Sequence, residues 1–503
     1  MAGGFLPYHE PGIVEILIIV SFFFFLSLAE WVSAKVIRAG IIGQIAVGII
    51  YGKPLANILE LPWQNTFMVL GYVGLILIIF EGGLTARIDL LKQNLILSTI
   101  GAATGVCFPI GFSYLLLYLG YGYGPVETFI IGAALSATSL GTTFAVISSA
   151  SKTVDLANTR VGSVLVSAAV IDDVVGLVMS SVIHDLGELS GGGDVNLGWL
   201  IGRPIVASIA MAILTPVLTK WVFAPFFRKF IEYHFAQLDH LSNIVLMVLV
   251  LSAFISIAAY AGTSVLFGAF LAGTFLTYIP SKQPEGPFVV MTREEGEQNA
   301  DKSPTFVHTF EAYLLDVQEY LMAPLFFASV GFAIPFLELW TGKRIWRGIL
   351  FTLLMVAAKA VVGIWIPLWK PLSKVTPSPQ KMFRKVLRKA PDPSEEANQS
   401  VEKTEESSKS SGTLLPALLL GSAMVARGEI GLLIIEIGYN STSYVTQEGF
   451  ITGVWAILLN TIIGPIVVGL LVKFYGPKIG QGEWGLQRQV IPGHEEESHQ
   501  AAV

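Results

Sequence analysis

Apolar residues run along the chain in long blocks broken by short polar stretches, not in the alternation of a half-buried strand. Thirteen blocks stand out, over roughly 13–37, 41–57, 66–85, 94–119, 126–150, 161–184, 198–226, 238–260, 263–280, 316–337, 346–369, 412–438 and 449–475. A hydrocarbon core of ~30 Å is crossed by about 20 helical residues, and most of these blocks are long enough. Helices and closed barrels alone satisfy their backbone polar groups inside a bilayer. The pattern therefore predicts an all-α polytopic membrane protein. Three blocks depart from plain hydrophobicity. The second, IIGQIAVGIIYGKPL, is short and glycine-rich, the fifth is polar at its centre, and the twelfth carries charge at its centre.

Composition agrees. Hydrophobic residues make up 53% of the chain and charged residues 14%, with a mean hydropathy of +0.66; a soluble domain carries ~25% charged residues. The formal net charge of -6 says little, because the charge sits in loops. Where the basic residues sit says more. With segment 1–12 placed outside, 24 of the 31 Lys and Arg fall in cytoplasmic gaps, at the cytoplasmic ends of spans or in the C-terminal tail. Lys53, Arg203, Lys343, Arg344 and Arg347 fall on the other side, and Lys359 and Arg427 lie inside spans. The positive-inside rule then sets the N-terminus outside, the C-terminus in the cytoplasm and an odd number of spans.

The expected organisation is an N-terminal extracytoplasmic segment (1–12), a membrane domain (13–475) and a polar cytoplasmic tail (476–503). Two cytoplasmic loops interrupt the membrane domain. Loop 281–311 is acidic and mixed; loop 370–412 begins basic at Lys381–Lys389 and ends in a Ser-, Glu- and Lys-rich stretch of disordered composition. The basic run suits anionic lipid or a plain solvated loop. The tail's HEEESH has too few histidines for a metal site and reads as solvated. The first block lacks a basic n-region and a cleavage site, so it reads as a retained span. The single cysteine, Cys107, allows no disulfide within the chain. The sequon at Asn440 falls on the outer side, too near the membrane for use.

The chemistry lies in the charges that the apolar blocks contain. Asp172 and Asp173 sit side by side at the middle of Val161–Ile183. A carboxylate at that depth costs at least ~2.5–3.5 kcal/mol on insertion scales. Either the two form a buried structural pair capped by hydrogen bonds, or they hold ions and protons. Glu81 lies late in span three, Lys359 is mid-span in LLMVAAKAVVGIWIP, and Arg427 and Glu429 lie near the middle of span twelve. The simplest pairing sets Lys359 against one aspartate and leaves the other free for a cation or proton. Arg427 and Glu429, two residues apart, point to different faces of a regular helix. Each then needs an outside partner, as in an interhelix salt bridge, or a break in the helix. In span five, Ser136, Thr138, Ser139, Thr142 and Thr143 surround Gly141. Hydroxyls and freed carbonyls of a broken helix supply oxygen ligands to a dehydrated cation; small hydroxyl residues also let helices pack closely.

These segments carry a family resemblance. AAVIDDVVGLV, AAKAVVG, SAMVARGEIGLL, ATSLGTT, GTSVLFGAFLAGTFL, APLFFASVGFAI and IIFEGGL resemble the core segments of the monovalent cation/proton antiporters, specifically the cation:proton antiporter-2 family. The chain departs from it at Ala426, where a proline is common, and in the long loop 370–412. The resemblance implies about 13 transmembrane helices in inverted repeats, with crossed broken helices at spans five and twelve beside the aspartate helix. It implies a scaffold that forms a homodimer. Asp173 would be the main alkali-cation and proton carrier, Asp172 the partner of Lys359, and Thr138 and Ser139 neighbours of the ion. Arg427, Glu429 and Glu81 would be charge partners. The implied activity is secondary active exchange of Na+ or K+ for H+ by alternating access, electrogenic where both aspartates and the lysine are kept. The expected partners are those ions and membrane lipid, with no cofactor, no enzyme chemistry and no nucleic acid. A cation channel using the same buried charges as a filter, or a non-transporting ion sensor, is the rival reading. An intramembrane aspartyl protease sets its carboxylates on separate helices; two on one helix, about 100° apart, suit that role poorly.

Overall fold

A computed structural model of the chain describes residues 10–86, 94–139, 159–189, 197–236, 238–281, 304–369, 411–480 and 484–485, together with Tyr8 and Leu91. Among the described residues the regular elements are all helical. Each of the thirteen apolar blocks contains at least one helix among the described residues. Gly141, Thr142 and Thr143, loop residues 282–303 and 370–410, and HEEESH lie outside the described residues.

In chain order the helices are α1 (Ile13–Ile37), α2 (Gly40–Tyr51), α3 (Leu61–Leu84) and α4 (Leu95–Ser113, extended by a π-helical stretch to Gly120). Next come α5 (Pro125–Ala134), α6 (Arg160–Leu189) and α7 (Leu197–Leu218). The last of these runs on to Ala236 through the π-helical turns Thr219–Phe223 and Phe227–Ile231. Then follow α8 (Asp239–Ala261), α9 (Val265–Tyr278), α10 (Phe306–Tyr313) and α11 (Ala323–Ala333, led in by Leu315–Met322). The chain closes with α12 (Gly342–Ala360), α13 (Ser411–Ala423), α14 (Glu429–Ser441) and α15 (Gln447–Ile479). Among the described residues, eight helices are long and apolar enough to cross a bilayer singly; α2, α5, α9 and Thr413–Ala423 of α13 are shorter apolar helices.

The helices gather into two bundles. One joins α4, α5 and α6 to α12, α13, α14 and α15. The other is built from α1, α2, α3, α8, α9 and α11, and α7 packs along α6 between them. Spans eleven to thirteen each come seven places after their counterparts among spans four to six, an odd offset, so the two trios cross the membrane in opposite senses. This is the inverted repeat. Glycines bring helices to backbone contact in the second bundle. A Cβ on Gly331 would lie 2.4 Å from the Ile45 carbonyl, and one on Gly273 would lie 2.3 Å from that of Phe80. Such approaches suit a bilayer, where packing rather than the hydrophobic effect joins helices.

The segment after α15 departs from a solvated tail at one residue. Trp484 is 1% exposed and packs among Val161, Leu165 and Val472. Its carbonyl accepts a hydrogen bond from Val161 N (3.2 Å), and the Gly485 carbonyl accepts one from Arg160 N (3.1 Å). These satisfy N–H groups that the first turn of α6 cannot pair internally. The Arg160 guanidinium lies 4.6 Å from the Trp484 ring centroid.

Candidate functional site

The site forms where two broken helices meet beside α6. Span five leaves helical form after Ala134 and runs through Leu135–Ser139. Span twelve does the same between Ala423 and Glu429, so it breaks with Ala426 in place of a proline. The break is held from outside: a Cβ on Gly464 of α15 would lie 2.6 Å from Ala426 N, and Thr461 Oγ1 donates to the Arg427 carbonyl at 3.0 Å. The two unwound segments touch through Ser139 N, which donates to the Ala426 carbonyl at 3.0 Å.

Beside this crossing α6 presents its aspartates at mid-length. Lys359, on α12, donates from Nζ to Asp172 Oδ2 at 2.7 Å and to Thr138 Oγ1 at 2.9 Å. Thr138 Oγ1 also donates to Asp172 Oδ2. Both side chains of the ion pair are 0% exposed. Breaking such a buried pair strands a charge at a cost of about 3–5 kcal/mol, so the three groups hold one another in place. Gly105 on α4 makes room for the ammonium, since a Cβ there would lie 3.2 Å from Nζ.

Asp173 stands differently. It is 9% exposed, and its Oδ1 has no hydrogen-bond partner among the described residues. Asp172 Oδ1 is likewise without one. Glu429 is near enough to Asp173 to act on it electrostatically.

The break also accounts for Arg427 and Glu429. They do not pair with each other among the described residues. Arg427 is 0% exposed and donates from Nη1 to the Met424 carbonyl at 3.0 Å, a cation set against the carbonyl end of α13. Glu429 opens α14, where a carboxylate meets the positive end of the helix dipole. Ser139 and Glu429 line a cavity of about 420 Å³ that also takes in Glu30, Glu81, Gln318 and Glu319. Glu81 accepts a hydrogen bond from Gln318 Nε2, and Glu30 accepts one from Gln44 Nε2 at 2.7 Å. A second cavity, about 500 Å³, lies at the other ends of the helices among Tyr72, Ser180, His184, Asp185 and Arg203.

The structure thus brings together Asp172, Thr138 and Lys359, sets Asp173, Ser139, Arg427 and Glu429 around the crossing, and places Glu81 farther along the cavity. Sequence reasoning missed Gly105, Thr461, Asn460 and the pair Glu30–Gln44. Asn460 is 0% exposed with neither amide atom bonded among the described residues. The Asn460–Thr461 dipeptide inside an apolar block was a usable signal, as was Glu30 within the first block. Gly105 carried none, because only the fold shows what a Cβ there would meet.

A helical membrane protein with inverted repeats, crossed broken helices and a buried carboxylate–ammonium pair has the build of an ion transporter. The family model described as "Sodium/hydrogen exchanger, transmembrane" matches residues 19–474, and the chain belongs to that family, one of transporters rather than enzymes. A Na(+)/H(+) antiporter of Enterococcus hirae is 24% identical over 451 residues, 89% of this chain and 95% of that protein. The Na(+)/H(+)-K(+) antiporter GerN of Bacillus cereus is 22% identical over 440 residues, 87% of this chain and 91% of that protein. The solved structure of the sodium proton antiporter MjNhaP1 from Methanocaldococcus jannaschii superposes with a TM-score of 0.50 at 18% identity, covering 92% of this chain and 99% of that one. That likeness supports the fold.

Proposed function

We propose that this protein exchanges Na+ or K+ for H+ across a membrane, with Asp173 as the carrier. One observation carries the reading. Lys359 and Thr138 occupy Oδ2 of Asp172, while Oδ1 of the next residue, Asp173, is left unbonded among the described residues at the helix crossing. A carboxylate held this way accepts a proton or a cation, but the proton removes the charge that holds the cation. Competition at one group couples the two fluxes without further machinery. The names of the relatives support sodium, and that of GerN supports potassium as well.

Alternating access follows as a motion of the bundle carrying α4–α6 and α12–α15 against the other. The two bundles touch through α9 and α6, and α11 and α14, a narrow seam compared with the packing inside each. The acidic cavity at Ser139 and Glu429 is the proposed cytoplasmic entrance, given the N-terminus outside and the C-terminus inside. In the proposed division, 1–12 is extracytoplasmic, loops 281–311 and 370–412 and tail 476–503 are cytoplasmic, and the second bundle is the scaffold. That scaffold presents α1, a span that is mostly exposed in the single chain, as the face for a homodimer.

Proteoliposomes holding a pH gradient test the exchange. Addition of Na+ or K+ dissipates the gradient if the reading holds. A gradient that survives every alkali cation overturns it, and single-channel currents would show a pore instead. A reversal potential that ignores membrane voltage would reject electrogenic exchange.

A further inference from the structure

Behind the aspartate helix lies a cavity that ion exchange does not use. It encloses about 550 Å³ between α6, α7 and α9, and its walls are almost wholly apolar. On α7 the lining residues include Ala212, Pro216, Lys220, Ala224 and Arg228. Each is four positions from the next, so they stack along one face of the helix. Small side chains leave space on that face. Pro216 lacks the N–H that would bond the preceding turn, and a π-helical stretch follows it at Thr219–Phe223. The facing wall on α9 runs through Phe267, Leu271, Thr274 and Tyr278 at helical spacing. Val170, Ile171, Val174 and Val175 of α6 close the third side, an arc whose centre lies about 130° around the helix from Asp172 and from Asp173.

Both ends of this cavity have a chemical character. Ala212 is the midpoint of the apolar block 198–226 and is exposed, so the cavity opens sideways at mid-membrane. Arg228 lies sixteen residues on, about 24 Å along the helix at 1.5 Å per residue. That is close to half a bilayer counted with its headgroup zone, ~20–22 Å. The basic end is the cytoplasmic one in the orientation set by the loops. Arg228 donates to the carbonyls of Tyr278, Ile279 and Pro280 at 3.1, 2.9 and 2.8 Å, which fixes the guanidinium without neutralising it. Neither Lys220 nor Arg228 pairs with a carboxylate among the described residues.

We propose that this cavity binds an anionic phospholipid of the cytoplasmic leaflet. Its acyl chain lies against the back of α6, and its phosphate is held by Lys220 and Arg228. An apolar trough one leaflet deep, with Arg228 uncompensated at its headgroup end and Lys220 about 12 Å deeper along the helix, its long side chain able to reach toward that end, matches that ligand in length, polarity and charge. The occupant wedges between the helix that bears the aspartates and the scaffold helix α9.

The test is binding, independent of transport, so its failure leaves the exchange reading intact. The full chain, purified in mild detergent, is titrated with phosphatidylglycerol or with phosphatidylcholine of the same chains, and retained lipid is read by native mass spectrometry. The wild-type protein is expected to retain phosphatidylglycerol in preference to phosphatidylcholine. Lys220→Gln weakens phosphatidylglycerol retention about fivefold, the worth of one interfacial cation. Ala212→Trp fills the trough and abolishes retention of that lipid. Equal retention of the two lipids by the wild type, or phosphatidylglycerol retention unchanged by Lys220→Gln, overturns the proposal. Should Ala212→Trp fail to fold, the Lys220→Gln comparison decides alone.

Discussion

Lys359 is the residue on which the site's electrostatics turn. Its ammonium is fully buried and pairs with Asp172 at 2.7 Å, with Thr138 as a third member. Lys359→Ala leaves the Asp172 carboxylate buried and unpaired. A stability loss of about 3–5 kcal/mol is expected, read as a lowered melting temperature in detergent. The double variant Lys359→Ala, Asp172→Asn removes the stranded charge and should recover much of that loss. If the single variant melts like the wild type, the pair does not hold the site together. The sequence already exposed this pairing, because a lysine and two aspartates inside apolar blocks have few other partners. It did not say which aspartate takes the lysine; that depends on the rotation of α6 toward α12, and only the resemblance indicated Asp172.

Among the elements, the two breaks matter most, and they were unequally legible. The polar centre of span five marked the first. The second was in doubt from sequence, since Ala426 removes the proline that would force it. The structure supplies a different cause: α15 presents Gly464 to the Ala426 backbone and Thr461 to the Arg427 carbonyl. Contacts between residues thirty-four and thirty-eight positions apart leave no local pattern to read. Gly464→Ala places a Cβ 2.6 Å from Ala426 N and should destabilise by about 1–3 kcal/mol, as overpacking does. Gly82→Ala, which meets nothing within 4 Å, serves as the neutral comparison in the same melting experiment. Equal melting of the two variants would remove the role given to α15. The N-terminus of α6 offers a second test. Trp484→Ala empties a fully buried site and should lower stability by about 3–5 kcal/mol; an unchanged melting temperature would show that the segment after α15 only rests there.

For the molecule as a whole, class and span count could be read from the apolar blocks, because a bilayer imposes length and polarity on every crossing. How the blocks divide into two bundles could not. Helix–helix contact in lipid is set by small residues and shape, and paired approaches such as Gly273 against Phe80 declare themselves only in three dimensions. Orientation rests on the basic residues and has its own check. In a Cys107→Ser background, Lys53→Cys should react with an impermeant thiol reagent applied outside intact cells, and Leu238→Cys only after permeabilisation. The reverse labelling would invert the topology and move the acidic cavity to the outer side.

Whether Asp173 is the shared carrier of cation and proton is decided by comparing wild type and Asp173→Asn in proteoliposomes under an imposed pH gradient. Na+ or K+ should collapse the gradient with the wild-type protein, and Asp173→Asn, inserted in equal amount and equally folded, should leave the gradient standing. Cation-driven collapse at the wild-type rate in Asp173→Asn would contradict that role.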